Sequence, residues 1–515
     1  RYPIGIQTFS EIIRGGYVYV DKTDLVWQLA HYAKYIFLSR PRRFGKSLLT
    51  STLEFYFRGE REVFEGLKIM ELEQQWEQYP VMRLDISTAK AQKDADALRH
   101  SLVLLLANYE KLYGSNPLEL TPGQKLTGII QRAYEKTGRQ VAVIIDEYDA
   151  PLLDVLHDDK ELDDKRKVMQ EFYVPLKANE QYVKFCFITG ITKFSQLSIF
   201  STINNLKNVT LLPRFSAICG ITEQEVKDVF AEDIQAMADH MGYTPEEMFQ
   251  KIKLRYDGYH FSEVSEDIYN PYSLLNAFGD QKLDNYWFAS GTPTFLIHQL
   301  QHFKTDIMSL DKLEVPSSAF DQPTENMKSA LPLLYQSGYL TIKGYDERFK
   351  EYRLGFPNEE VEDGFIRYLA PFYLSKTRDR TVFDIRKFDN DVETGQPEQF
   401  CKRLKTLFAD TPYELVKNLE NHYQNIVWVV FKLLGFYTQA EYHTSEGRID
   451  LIIATHDFRY VMEFKLNGTA EEALEQIKSK HYAIPFAIDE KKTFLIGMNF
   501  VDETRNIERY VIEEI

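Results

Sequence analysis

Short, unbroken apolar runs alternate with helical repeats through the first part of the chain. Tyr35-Ile36-Phe37-Leu38 is one such run and ends in the turn-like Ser39-Arg40-Pro41; a helical pattern, Leu48, Leu49, Leu53 and Phe57, begins after Gly45. Val81–Ile86 predicts a strand, and an amphipathic helix is predicted from about Ala95 to Leu112. Gln124–Thr137 predicts another helix, with Leu126, Ile129, Ile130 and Ala133 on one face. Val141–Ile145 is a continuous apolar run of the kind buried on both faces of a sheet, and Val183–Thr189 repeats that character. Strands of this type separated by helices predict a parallel sheet covered by helices.

The pattern changes near Thr222. Thr222-Glu223-Gln224-Glu225 predicts a capping box, and helical segments then dominate. Two strand-like runs, Tyr339–Ile342 and Tyr352–Leu354, lie among turn residues and predict a winged hairpin. Thr394–Glu398 reads as a linker before a last αβ unit. The expected fold class is α/β: a parallel sheet covered by helices (1–220), a helical and winged-hairpin region (221–385), and a last αβ unit (386–515).

Composition narrows the partners. Hydrophobic content of 44% and charged content of 27% are those of a soluble globular chain of 515 residues. A net charge of -16 excludes a polybasic binder, so any nucleic-acid site must be a local patch. Cys186, Cys219 and Cys401 are too far apart for a disulfide framework or zinc spacing. The longest apolar run, Ile426–Tyr437, contains Lys432 and is shorter than the ~20 residues of a membrane span. The expectation is a cytoplasmic protein with no membrane partner.

Arg40-Pro41-Arg42-Arg43-Phe44-Gly45-Lys46-Ser47 lies between a predicted strand and helix. Gly-Lys-Ser at a helix start is a phosphate-binding pattern, because loop and helix N–H groups face the anion. Lys46 would reach the β- and γ-phosphates, Ser47 would ligate Mg²⁺, and Gly45 would let the backbone approach. Arg42, Arg43, Phe44, Gly45, Lys46, Ser47 and Leu48 are the candidate nucleotide-binding residues of this stretch. Arg40 occupies a position where the general pattern has glycine. Asp146-Glu147 follows the Val141–Ile145 strand at once; Asp146 would hold the Mg²⁺ shell and Glu147 would orient or deprotonate water. Thr189, at the end of the next strand, is a candidate γ-phosphate sensor. Arg214 is read as a surface ion pair in preference to an arginine finger.

A second constellation lies near the C-terminus. Gly447–Ile453 and Tyr460–Leu466 predict a hairpin turning around His456–Arg459. Side-chain alternation puts Glu463 and Lys465 on one face, and Asp450 on the partner strand can share it. Two carboxylates and a lysine suit a hard cation and a nucleophilic water, with Asp450 and Glu463 as metal ligands. Gln476, on a following helix, could project toward them, and Glu420 is a further carboxylate upstream.

These motifs, in this order, resemble the AAA-like ATPases fused to a PD-(D/E)XK nuclease domain that are common in gut-dwelling anaerobic bacteria. The resemblance rests on Pro3–Phe9, Tyr17–Thr23, Arg40–Leu49, Ile144–Leu152, Ile199-Phe200-Ser201 with Asn204-Asn205-Leu206, Tyr256–Phe261 and Gly447–Lys465. The family shares the phosphate loop without its first glycine. The resemblance implies a P-loop NTPase parallel sheet (1–220) with a helical and winged-helix-like lid region (221–385), a C-terminal restriction-endonuclease-like αβ domain (386–515), and ATP with Mg²⁺ at Lys46, Ser47 and Asp146. It also implies a catalytic set of Glu147, Asp450, Glu463, Lys465 and Gln476, with Mg²⁺ or Mn²⁺ at the nuclease site. Family members usually carry a few residues before the position of Arg1. DNA or RNA is the expected partner, a homo-oligomer is compatible, and nucleotide state is expected to gate the nuclease. The other reading is an ATP-dependent switch or scaffold whose C-terminal domain binds nucleic acid or a protein without cutting. Tyr256–Phe261 with Asn270-Pro271-Tyr272 reads as a buried aromatic cluster of the lid, or else as a base-packing or hinge element. Tyr19–Thr23 reads equally as an adenine contact or a sheet-stabilising strand and turn.

Overall fold

The computed structural model describes residues 1–156, 158–193, 206–290, 313–323, 327–374, 378–409, 419–435, 439–445, 448–479, 491–501, 503–504 and 506–515, with isolated positions between 296 and 310. The side chains of 371–384, 419–425 and 439–450 fall outside that description. Ile199-Phe200-Ser201, Asn204-Asn205 and Gly447 also lie outside the described residues. The chain forms two compact units, one holding Arg1–Thr305 and Leu310–Val361, the other Glu362–Ile515. Among the described residues no helix is long and apolar enough to cross a membrane.

The first unit is built on a parallel sheet of β1 (Tyr35–Ser39), β2 (Val81–Asp85), β3 (Val141–Asp146), β4 (Val183–Gly190) and β5 (Lys207–Asn208), in the order β2-β3-β4-β1-β5. Every residue of β1 and β3 is buried, which is why those sequences lack polar alternation. Side chains still alternate in direction. Val141, Val143 and Ile145 join one core with Leu102 of α3 (Ala95–Tyr113), Ile129 of α4 (Pro122–Thr137) and Phe172 of α5 (Asp159–Ala178). On the opposite side α2 (Lys46–Phe57) lies over β2, β3 and β4, and its Phe57 ring stacks on Phe185 of β4 at 4.8 Å. The short α1 (Thr23–Ala30) precedes β1.

The lid contains α6 (Glu223–Val229), α7 (Ala231–Met241), α8 (Pro245–Tyr256) and α9 (Pro271–Asp280). They enclose a core that includes Phe230, Met237, Ile252 and Phe278. The Thr222–Glu225 capping box is present, as the pattern predicts. Tyr286–Ala289 forms the single-turn α10, and β6 (Ile221–Thr222) pairs with β7 (Ile268–Tyr269). The expected hairpin is β9 (Thr341–Asp346) with β10 (Glu351–Gly355), widened to three antiparallel strands by β8 (Leu313–Pro316).

In the second unit, α11 (Arg378–Glu393), α12 (Pro397–Ala409) and α13 (Leu419–Gly435) precede a five-stranded mixed sheet. Its strands run in chain order: β11 (Gln439–Ser445), β12 (Arg448–Ala454), β13 (Phe458–Leu466), β14 (Lys492–Val501) and β15 (Asn506–Glu514). The segment read as a linker is instead a tight turn between α11 and α12. Gly395 sits there at φ 70°, where a Cβ would strike the Phe458 ring at 2.4 Å. Among the described residues, α14 (Ala470–Ser479) lies in the crossover between the parallel pair β13 and β14. It packs closely because β14 has Gly497 beneath it; a Cβ there would come within 2.2 Å of the Ala470 carbonyl.

Candidate functional site

The strand order gathers the first set of residues. Strand β4 lies between β1, which leads into the phosphate loop, and β3, which ends in Asp146. The C-terminal ends of these parallel strands open onto one edge, where ligands of open α/β sheets bind. Gly45 precedes α2 at φ 88°, a conformation available to glycine, while Arg43 holds φ 67°. Arg40 is absent from the positive-φ residues, so the backbone there does not require glycine. Its guanidinium is buried and turns to the carbonyls of Ser39, Thr210 and Phe215 at 2.9–3.0 Å. Burial pulls this group down to about 10, which leaves it charged at neutral pH.

Lys46 is buried, and its Nζ donates to the carbonyls of Arg40 and Pro41 at 3.1 and 3.0 Å, closing the loop upon itself. Ser47 and Leu48 are partly exposed on the first turn of α2. Asp146 is buried; Thr50 donates to its Oδ2 at 3.3 Å and the Glu147 N–H to its Oδ1 at 3.0 Å. Glu147 adopts φ 48°, uncommon for a residue with a Cβ. Burial pushes its carboxyl up; Lys46 opposes that, and Asp146, Asp149 and Asp85 add to it. Thr189 is fully buried and donates its hydroxyl to the Leu38 carbonyl at 2.7 Å. Arg214 is exposed and donates to Gln28 at 2.8 Å.

Two polar residues that the sequence reading missed brace this edge. Arg83 reaches Thr50 Oγ1 at 3.1 Å and the Ser47 carbonyl at 3.3 Å, fixing the start of α2 beside β2. Asp149 accepts both the N–H and the hydroxyl of Thr192 at 2.6 Å, pinning the segment after β4. Asp149 was visible as the third acid of Asp146-Glu147-Tyr148-Asp149; Arg83 carries no local signal.

The lid grips the phosphate loop through its arginines. Arg40 stacks on Phe261 at 4.3 Å, Arg42 on Trp287 at 4.7 Å and Arg43 on Tyr272 at 4.7 Å. The Trp287 indole also donates to the Arg42 carbonyl at 3.1 Å. Phe44 is fully buried and meets Tyr259 and Phe261 edge-on at 4.7 and 5.3 Å. Tyr256–Phe261 is thus an aromatic cluster built around the loop. At Tyr19–Thr23, Asp21 caps Thr23, and Lys22 pairs with Glu225 at 2.5 Å.

In the second unit, Asp450 and Glu463 are directly opposed in the β12–β13 register, and Arg448 opposes Lys465. Val461 packs on Leu474 and Ile477 of α14, so alternation carries Glu463 and Lys465 to the face that α14 covers. Glu463 is fully buried, and Lys465 Nζ lies 3.9 Å from Glu472 in the first turn of α14. Gln476, one turn beyond Glu472, is half-buried. Glu472 was not singled out from the sequence. The side chains of Asp450 and Glu420 are outside the described set, and among the described residues no three His, Cys, Asp or Glu side chains converge as a metal cluster. The donor chemistry nevertheless fits a hard cation at both places, because serine and carboxylate oxygens are the ligands such ions take.

This geometry defines an α/β protein that joins a P-loop-type nucleotide unit to a nuclease-like sheet. Residues 3–200 match the family described as predicted AAA-ATPase, and residues 418–510 match the PD-(D/E)XK nuclease superfamily. The chain belongs to the family that fuses these two domains. It is similar along its whole length to a protein of Azotobacter chroococcum mcd 1, named as an uncharacterized protein in the vnfD 5' region. The two are 31% identical over 530 residues, covering 100% of this chain and 99% of that protein.

Proposed function

We propose that the chain binds and hydrolyses ATP at the edge formed by Lys46, Ser47, Asp146 and Glu147, and that its second unit hydrolyses phosphodiester bonds of DNA or RNA under the control of the nucleotide state. The observation that carries the reading is the sheet order: the loop after β1, which leads to Lys46, and the end of β3, which leads to Glu147, flank β4, close enough that the lysine charge counters the upward shift of the Glu147 carboxyl. Arg42, Arg43, Phe44, Gly45 and Leu48 would shape the loop around the phosphates, and Thr189 would sense the γ-phosphate by turning its hydroxyl from the Leu38 carbonyl. Ser47 and Asp146 would hold Mg²⁺, which supplies charge neutralisation of the phosphates. Glu147 accepts a proton from water; a carboxylate whose affinity for protons is raised by burial is the better base.

Asp450 and Glu463 would hold Mg²⁺ or Mn²⁺ in the second unit, Lys465 would orient the attacking water, and Gln476 would support it from α14. The assignment of 1–220 to the ATPase core, 221–385 to the lid and 386–515 to the nuclease-like part belongs to this proposal. Two variants test it. Glu147→Gln retains ATP binding, loses hydrolysis by roughly 10²–10⁴-fold, and removes an acid limb of the pH profile that lies above the usual glutamate range. Glu463→Gln abolishes cutting of DNA and RNA and leaves ATP binding unchanged. Tight nucleic-acid binding with no cutting by the unmodified chain, in Mg²⁺ or Mn²⁺, would establish the scaffold reading instead.

A further inference from the structure

At the opposite end of α2 from the phosphate loop lies a cavity of about 350 Å³. Lys46 and Tyr56 are separated by roughly 15 Å of helix, so this is a separate site. Its walls include Trp27 of α1, Tyr56 of α2, Trp76 and Tyr79 of the segment before β2, and Glu73. The rings form a connected series: Trp76 lies 6.1 Å from Tyr56, Tyr56 lies 6.4 Å from His31, and His31 lies 4.2 Å from Trp27. The segment that brings Trp76 here is strained. Trp76 holds φ 48°, an outlier for so large a residue, and its carbonyl runs against Gly59, where a Cβ would come within 2.8 Å. Such strain persists where the surroundings enforce it and clusters at functional sites.

Two carboxylates line the cavity: Glu77 accepts from the Tyr79 hydroxyl and from Arg139 at 3.1 Å, and Glu73 organises the other groups. Glu73 Oε2 accepts from the Tyr56 hydroxyl at 2.5 Å and the Trp27 indole at 3.3 Å; Oε1 accepts from the Gln75 and Trp76 N–H groups at 2.8 and 3.4 Å. Burial pushes the carboxyl up, but the hydrogen bonds outweigh it and hold the group below the ordinary glutamate range, so it is ionised at neutral pH. Four donors also fill the roughly four acceptor sites a carboxylate has. A ligand ammonium bearing N–H groups therefore finds no acceptor on Glu73, whereas a fully alkylated ammonium needs none. The cavity wall already receives one cation from the chain itself: Lys184 Nζ stands 5.0 Å over the Tyr79 ring.

We infer that this cavity binds a quaternary ammonium group, held by aromatic rings and the Glu73 charge without hydrogen bonds. Sites of this chemistry draw their selectivity from ring quadrupoles and a nearby anion. The experiment titrates the full chain with choline, with ethanolamine, and with dimethylbutanol, in which a tert-butyl group replaces the trimethylammonium. Tryptophan fluorescence reports on Trp27 and Trp76, and calorimetry supplies an independent isotherm. Choline is expected to bind at least about tenfold more tightly than either analogue. Trp76→Leu and Glu73→Gln should each weaken choline by about tenfold or more, with thermal melts verifying that the variants fold. Lys46→Ala should leave choline binding unchanged. Equal affinity for dimethylbutanol would reduce the site to an apolar hole and overturn the inference. Equal or tighter ethanolamine binding, or no saturable response to choline, would overturn it as well.

Discussion

Asp257 and Glu360 are carboxylic acids buried in the first unit, and burial pushes each up to about 7. Asp257 follows α8 with its Oδ1 out of hydrogen-bond reach of any described group, while Glu360 Oε1 accepts the Trp287 N–H at 2.6 Å. Below about pH 4 both groups are protonated in the folded and unfolded chains alike. As pH rises from there, the unfolded chain releases these protons first and the folded chain retains them until about 7. Their contribution to stability is therefore complete at the acid end, is lost across that window, and is level above it. Asp257→Asn combined with Glu360→Gln should flatten this component. Thermal melts should place the double variant above the parent at pH 8 by on the order of a few kcal/mol, with the difference vanishing toward pH 4.

The contact between the phosphate loop and the lid belongs to the scale of elements, because α10 and the loop stabilise each other only when both are folded. Trp287 offers Arg42 a ring face at 4.7 Å and gives its indole proton to the Arg42 carbonyl at 3.1 Å. A loop held in shape before the ligand arrives loses less entropy on binding. Trp287→Phe removes the indole donor and leaves a smaller ring, so ATP binding should weaken by roughly 5–30-fold. Titration with a fluorescent nucleotide measures this, and Trp428→Phe in the second unit serves as the control. Legibility in the sequence divides along the same line. Lys46, Ser47, Asp146, Glu463 and Lys465 could be proposed from the sequence because their chemistry is concentrated within a few residues of a predicted strand. The unbroken runs of β1 and β3, and the largely apolar run of β4, likewise announced a doubly covered parallel sheet. Arg83, Trp287 and Glu472 were not legible, since register and packing create their roles across long sequence separations. The Thr394–Glu398 stretch misled for a related reason: Gly-Gln-Pro signals a turn, and only packing shows that Gly395 lies under Phe458.

At the scale of the whole molecule, net charge and the division into two units set the terms. A net charge of -16 repels a phosphate polymer at long range, and the second unit adds no basic excess of its own. A nuclease that relied on lysine and arginine contacts would lose binding steeply between about 50 and 200 mM salt through counterion release. This chain has little such affinity to lose, and salt also screens the repulsion, so its cutting rate should vary far less over that range. Productive encounter must then be promoted by something other than bulk charge, and ATP is the ligand the first unit is shaped to take. Cutting by the unmodified chain is expected to rise when ATP is added. Lys46→Ala, whose change lies in the first unit, should hold cutting at the level seen without ATP and retain the same shallow salt dependence. A gel assay run with and without nucleotide, across the salt series, reads both. Cutting that is indifferent to ATP in the parent would remove the gating step and leave two independent hydrolytic sites on one chain.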